Sequence, residues 1–532
     1  MSSNAKKIGK NIFFGIGSQI VIAIIGLLIP RLFVSSYGSE TNGFLSSLNQ
    51  IFTYIVLLEA GVGTATLQAL YKPVATDDKE KISGILSASA QFYTRTGWCY
   101  LGCVGLLAII YPLAIQSAIP VWEQVAVILI IGSGNSLGFF LHAKFRMLLR
   151  ADGKTYIYTN ASTLVQLGTS LTKVVLVLLG MNIVFIQLGH LLLQIGLSVY
   201  ITLYTRKHYP WLNLKAKPDK QAISQKNSVL VHEVSQMIFN HTDVLLLTAF
   251  TNLTVVSIYT VYNMIVDIIS TLIGNIHNGF AFRLGQIYNT DKERYKGTYD
   301  AYETCYMALS VALYAMTFIF LLPFMRLYMD GVVDANYLDK MLPILFVSIK
   351  LLVSSRALAG ATTVYAGHFK KTRWRSVLES IINLSVSIAA ILFLRQYNIM
   401  WGMYGVLIGT IAALLYRAND MIIYTSRHIL GVSPWKTYRK WIVDLAAFAA
   451  VYGLSRLVPI RASGYVELVL YAVGYSIATF AVVGLLNFVF FRKHMISAFS
   501  YIHSTLCGKR RKRSSAISSQ LTEPEKKKEY RD

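Results

Sequence analysis

The sequence predicts an all-α integral membrane protein of about fourteen transmembrane helices, set out as two six-helix lobes with an added C-terminal helix pair. Three observations predict it: the composition, the lengths of the apolar runs, and the side on which the charges fall. Of 532 residues, 54% are hydrophobic and 14% charged, whereas a soluble domain carries about 25% charged residues. The 11 prolines and 36 glycines exclude collagen-like and low-complexity chains, and 4 cysteines are too few for a disulfide framework. A net charge of +24 would suggest nucleic acid in a soluble protein. Here the basic residues lie almost entirely between apolar segments, so no nucleic-acid partner is expected.

A bilayer core of about 30 Å takes roughly 20 apolar residues per helix. Runs of that length give spans at 11–35, 42–70, 95–116, 122–146, 156–179, 182–204, 226–250, 253–280, 301–325, 341–366, 377–395, 399–424, 438–458 and 465–491. The first follows Lys6, Lys7 and Lys10 and closes at Ile29-Pro30-Arg31, too long for a cleaved leader, and reads as a retained signal anchor. The second and third are parted by Lys72, Lys79 and Lys81; the fourth and fifth by Arg146, Arg150 and Lys154; the sixth and seventh by Arg206, Lys207, Lys215, Lys217 and Lys220. Arg283, Lys292, Arg294 and Lys296 follow the eighth, Lys370, Lys371, Arg373 and Arg375 the tenth, and Arg427, Lys436, Arg439 and Lys440 the twelfth. The tail adds Lys509-Arg510-Arg511-Lys512-Arg513, read as a solvated segment near anionic headgroups. The intervening connections are short, with Lys340, Arg395 and Arg461 beside Glu40, Asp330, Asp334 and Asp339. By the positive-inside rule both termini are expected in the cytoplasm.

These spans divide the chain into a cytoplasmic N-terminus (1–10), an N-lobe (11–204), a cytoplasmic connector (205–225), a C-lobe (226–424), a helix pair (438–491) and a basic tail (492–532). The pair of spans at 11–70 and the pair at 226–280 share one plan, a very short outer connection followed by a long helix running to a basic loop. Two such halves are a transporter architecture with a substrate cavity between them. The longest polar connections, near 71–94, 205–225 and 281–300, are too short to fold alone. There is no phosphate-binding G-x-x-x-x-G-K-[ST], no H-E-x-x-H, no G-x-S-x-G and no C-x-x-C. Cys99 and Cys103 share a helix face without His or carboxylate company and read as packing. The chain is therefore not expected to be an enzyme, and no cofactor or metal is expected.

Charges inside the spans carry the functional reading, because a charged side chain at mid-bilayer costs at least about 2.5–3.5 kcal/mol on insertion scales. Glu59, Asp267 and Arg356 fall near the middles of their spans and Lys350 and Asp243 about two turns in, whereas Arg31, Lys173 and Asp444 are nearer the ends. Arg31, Lys173, Lys350 and Arg356 outnumber the anions and would attract phosphate. The competing reading is that these cations pair with carboxylates across helices to hold the bundle. Tyr259, Tyr262 and Trp98 are placed to stack on sugars, while most of the 33 tyrosines fit an interfacial belt. His142, His190, His232, His241 and His277 read as neutral, hydrogen-bonded residues between helices.

The segment Leu28-Ile29-Pro30-Arg31, Tyr37-Gly38-Ser39-Glu40-Thr41-Asn42-Gly43, Leu57-Leu58-Glu59-Ala60-Gly61-Val62-Gly63 and Ala69-Leu70-Tyr71-Lys72-Pro73, with Asn240-His241-Thr242-Asp243 and Ser257-Ile258-Tyr259, resembles the Wzx-type polysaccharide flippases of the multidrug/oligosaccharidyl-lipid/polysaccharide exporter (MOP) superfamily. The resemblance in span plan runs to about residue 491; the basic tail has no typical counterpart. It implies a MATE-like fold in the bacterial inner membrane and transfer of an undecaprenyl-pyrophosphate-linked oligosaccharide between leaflets, for O-antigen, capsule or exopolysaccharide. Membrane lipids are implied partners, and polysaccharide polymerase and chain-length machinery are candidates. Arg31, Lys173, Lys350, Arg356, Tyr259 and Tyr262 would then bind pyrophosphate and sugar. Glu59, Asp243 and Asp267 are the candidates for H+ or Na+ coupling, since the chain has no nucleotide site. A cation-coupled drug antiporter would want a more acidic cavity. A membrane polymerase or glycosyltransferase would want an outer loop bearing carboxylates, for which 326–340, with Asp330, Asp334 and Asp339, is the place to look.

Overall fold

A computed structural model describes residues 2–56, 62–152, 154–219, 221 and 242–506. Glu59, His232, His241, most of the seventh span and the tail beyond 506 lie outside them. The N-terminal part comprises α1 (Ser2–Ile55), α2 (Val62–Ala75), α3 (Lys79–Ala114), α4 (Val121–Leu137), α5 (Ala143–Ala151), α6 (Thr155–Leu178) and α7 (Ile183–His208). The C-terminal part comprises α8 (242–250), α9 (Leu253–Thr290), α10 (Lys292–Tyr328), α11 (Met341–Tyr365), α12 (Phe369–Leu394), α13 (Gly402–Tyr424), α14 (Trp435–Leu457) and α15 (Tyr465–Leu506). Among the described residues no strand occurs, and 10 helical stretches are long and apolar enough to cross a membrane. The expected spans outside those ten are the first, second, seventh and thirteenth. The thirteenth is α14, whose Lys436, Arg439, Lys440, Asp444 and Arg456 dilute its apolar character.

Helix starts follow the capping chemistry of the sequence. Asp78, Asn182, Asn252 and Asp291 each accept from a backbone N–H in the first turn of α3, α7, α9 and α10, at 2.9 to 3.0 Å. Two caps overturn expected boundaries. The polar stretches 71–94 and 281–300 are mostly helix: α3 begins at Lys79, and only Asp291 separates α9 from α10. Apolar faces explain both extensions, since Ile82, Ile85 and Leu86 are buried at the start of α3 and Tyr295 and Tyr299 at the start of α10.

Each lobe has its own core. Phe44, Leu48, Tyr93, Tyr100 and Ile128 fill the N-lobe, and Leu247, Val256, Tyr262, Phe346 and Leu407 the C-lobe. Among the described residues, Val34 of α1 packs in the C-lobe core and Leu253 of α9 in the N-lobe core. The α14–α15 pair lies on α10 through Ala308, Ala312, Ala315, Ala447, Val451 and Val483. Its other face presents Val466, Leu470, Ile477, Leu485 and Val489, more than half exposed, as lipid-facing helices do.

The two ends of the bundle differ. At one, the segment after α7 folds back on α3 and α5, with Asp219 N–H donating to the Gly84 carbonyl at 3.1 Å and Lys79 Nζ 5.9 Å from the Trp211 ring. There Tyr209 donates to Asp152 at 2.5 Å and Lys154 pairs with Asp152 at 2.8 Å. This end carries the basic connections. The opposite end gathers residues near 38, 118, 182, 252, 334 and 398.

Candidate functional site

The site is built where the lobes meet. The second half of α1 and the first half of α9 leave the sparsely charged end side by side. A Cβ on Gly43 would lie 1.8 Å from the Leu253 carbonyl oxygen, so only glycine allows this approach. Gly38 turns the chain into this half of α1 with φ of +84°, a conformation that favours glycine, and frees the Ser39 N–H to donate to Asp334 at 2.5 Å.

A polar seam runs down from that turn. Ser39 Oγ also donates to Asp334 at 3.0 Å and accepts from Tyr337 at 2.8 Å, and Tyr337 shares a 2.8 Å bond with Ser257. Asn42 donates to Ser257 at 2.8 Å, Thr248 to Ser47 at 3.0 Å, and Tyr54 bonds Thr242 at 2.8 Å. Each of these joins the lobes or ties the 331–340 loop across them. Asp339 caps α11 at Met341 N, 2.7 Å, and accepts from Tyr404. The aspartates of the 326–340 loop considered for polymerase chemistry thus include two, Asp334 and Asp339, that serve as hydrogen-bond acceptors of the seam.

Below the seam lie three layers of charge. Asp243 on α8, roughly 10 Å from this end, accepts from Tyr259 at 2.7 Å and Thr410 at 3.4 Å. Its other oxygen, Oδ1, is buried without a partner among the described residues. Asp267 on α9, roughly 20 Å down, binds Lys350 of α11 at 2.5 Å and accepts from Asn263 at 2.7 Å. Its side chain is 46% exposed and that of Lys350 15%, so the Asp267 carboxylate is not part of a core. Toward the basic end, Arg356 of α11 pairs with Glu379 of α12. Arg417 of α13 bridges Glu379 at 3.3 Å and Asp420 at 2.9 Å, and Arg375 also binds Asp420.

Set against the expectations, the structure brings Asp267 and Lys350 together and places Asp243 with Tyr259. Arg356 sits in an ion network with Glu379, Arg417 and Asp420. Tyr262 is fully buried, stacked on Phe346 with ring centroids 6.0 Å apart and donating to the Tyr337 carbonyl at 2.6 Å. Tyr259 is 6% exposed. Both rings, expected to stack on sugar, are covered by the C-lobe core in this conformation. Trp98 is exposed and packs edge-on against Phe140. Arg31 donates to the Leu327 carbonyl at 2.7 Å and meets the Tyr465 hydroxyl at 2.6 Å, tying α1 to α10 and α15 away from the lower layers. Lys173 on α6 makes no ion pair among the described residues and lies within electrostatic reach of His190, whose Nδ1 is unpartnered. Glu379, Arg417 and Asp420 were not singled out from sequence, although all three fall inside expected spans, and asking which charges lie there would have found them.

This is an all-helical two-lobe membrane bundle with the fold of MOP-superfamily transporters. The lipid II flippase MurJ, in an inward-closed conformation, superposes with a TM-score of 0.66 at 14% identity, covering 91% of this chain and 99% of that one. An inward-facing multidrug-resistance MATE transporter gives 0.60 at 15% identity, covering 76% of this chain and 98% of that one. The MATE multidrug transporter DinF-BH gives 0.56 at 12%, covering 78% and 94%. No protein-family model and no curated protein matches the sequence. At such identities the likeness defines the fold.

Proposed function

We propose that this chain is a flippase of the bacterial inner membrane that moves an undecaprenyl-pyrophosphate-linked oligosaccharide between leaflets by alternating access. The observation that carries the reading is the Asp267–Lys350 pair of α9 and α11, with the Asp267 side chain 46% exposed, beneath a seam of hydrogen bonds that joins the lobes. A charged wall inside a membrane protein belongs to a water-filled path. Positive charge favours an anionic headgroup there. Lys173 has no carboxylate partner among the described residues, and three guanidiniums of Arg356, Arg417 and Arg375 share two carboxylates, with the Arg375 side chain 36% exposed toward the basic end.

Asp243, with one oxygen unpartnered, and Asp267 are the residues for H+ or Na+ coupling; Glu59 is retained as a third candidate. Polymerase and chain-length machinery are the expected protein partners, and the basic end faces the cytoplasm. The second reading is a cation-coupled antiporter for a drug or small solute, which the likeness to MATE transporters favours. The lipid II flippase covers 91% of this chain against 76% and 78% for those two, which supports the lipid-linked substrate. Reconstitution into vesicles that carry a polyprenyl-pyrophosphate oligosaccharide tests the choice. Protein-dependent exposure of the glycan to an external glycosidase is expected; transport of a cationic dye with no glycan exposure would favour the antiporter.

A further inference from the structure

The α14–α15 pair carries a polar group that none of the above uses. Asp444 of α14 and Asn487 of α15 are both 0% exposed. Asn487 Nδ2 donates to Asp444 Oδ1 at 2.7 Å and to the Val483 carbonyl at 3.1 Å. The remaining oxygens, Asp444 Oδ2 and Asn487 Oδ1, are both buried and without partners among the described residues. A carboxamide that donates to one carboxyl oxygen while both partners keep an idle acceptor is one hydrogen short of a closed acid–amide pair. A proton on Asp444 Oδ2, donated to Asn487 Oδ1, supplies it.

The surroundings give an ionised Asp444 little relief. On its own helix the nearest cation is Lys440, one turn away, and it is already held by Glu303 at 2.7 Å and Asp300 at 3.0 Å. From α10 the Cys305 thiol is the titratable group within reach. From α15, His494 lies a further two turns along and bonds Thr304 at 3.3 Å. The alanine face of α10 completes the enclosure. A charge placed there would be desolvated and unpaired.

We propose that Asp444 is a proton-binding site in which the protonated carboxyl and the Asn487 carboxamide form a reciprocal two-bond pair fastening α14 to α15. Loss of the proton leaves two acceptors facing one another, so the helix pair has to part or admit water. The attachment of the C-terminal pair to α10 is thereby sensitive to proton occupancy.

Infrared difference spectroscopy on the full-length protein in lipid nanodiscs tests this. The expected result is a protonated-carboxyl C=O band at neutral pH that shifts in deuterium oxide and is lost in Asp444→Asn, which keeps the fold because two amides pair in the same way. Asn487→Ala is the second variant, should the first not fold: the band persists and moves to higher frequency as the acid loses its acceptor. A carboxylate band at Asp444 at neutral pH overturns the proposal. If that carboxylate band shifts on adding NaCl, the site is a sodium site rather than a proton site, and the proposal is equally overturned.

Discussion

Lys350 and Asp267 decide whether charge beneath the seam serves the substrate or only the bundle. If the pair were a brace, exchanging the residues as Asp267→Lys with Lys350→Asp would restore whatever the single variants lose. A substrate-facing pair behaves otherwise: Lys350→Gln is expected to lower glycan exposure in vesicles by 10-fold or more, on the order of 1.4 kcal/mol or above, and the exchange does not recover it. Arg356 answers to a different measurement. Arg356→Met removes one cation from Glu379 but leaves Arg417 3.3 Å away. Thermal unfolding should therefore show a loss below the about 3–5 kcal/mol of a buried pair broken outright.

At the basic end, desolvation raises the Asp152 carboxyl, but hydrogen bonds from Lys154 and Tyr209 outweigh it and hold the group below its ordinary value. Burial pushes the Tyr209 hydroxyl up to about 12. A depressed carboxyl contributes stability that is complete above its unfolded pKa, about 3.9, and lost as pH falls through the folded value. Asp152→Asn should flatten that acid limb, by about 1 kcal/mol at most because the group is 31% exposed, as read from unfolding midpoints between neutral and acid pH.

The seam is a device of paired helices, and its predictions concern how they part. Asn42 and Ser257 meet at 2.8 Å across the lobes, so Asn42→Cys with Ser257→Cys, in a background free of native cysteines, should form a disulfide that stops transport and releases it on reduction. Continued transport with the disulfide intact would mean that α1 and α9 do not part during the cycle. Gly43→Ala forces a Cβ to 1.8 Å from the Leu253 carbonyl, so the same cross-link should form more slowly as the helices are pushed apart.

Much of the helix plan was legible in the sequence, because a helix that crosses a membrane must be long and apolar. The 71–94 and 281–300 stretches were not legible: they look like loops because they are polar, yet α3 and α10 run through them on buried faces. Nor does one sequence show which charge meets which: Lys350 finds Asp267 across 83 residues and Lys440 finds Glu303 across 137. Tyr262 looked free to bind a sugar because its burial depends on Phe346 and Tyr337, which are contributed by later elements.

For the whole molecule, two lobes are joined along a seam of hydrogen bonds toward the sparsely charged end, with paired charges below it and a helix pair docked on the C-lobe through α10. Whether the protein carries a lipid-linked glycan is settled in the host itself, by deleting the gene and identifying the polyprenyl-linked intermediates by mass spectrometry. A flippase of this kind should leave pyrophosphate-linked repeat units accumulating on the cytoplasmic leaflet, with loss of surface polysaccharide. Normal intermediates and normal surface polysaccharide, with new sensitivity to cationic drugs, would refute that role.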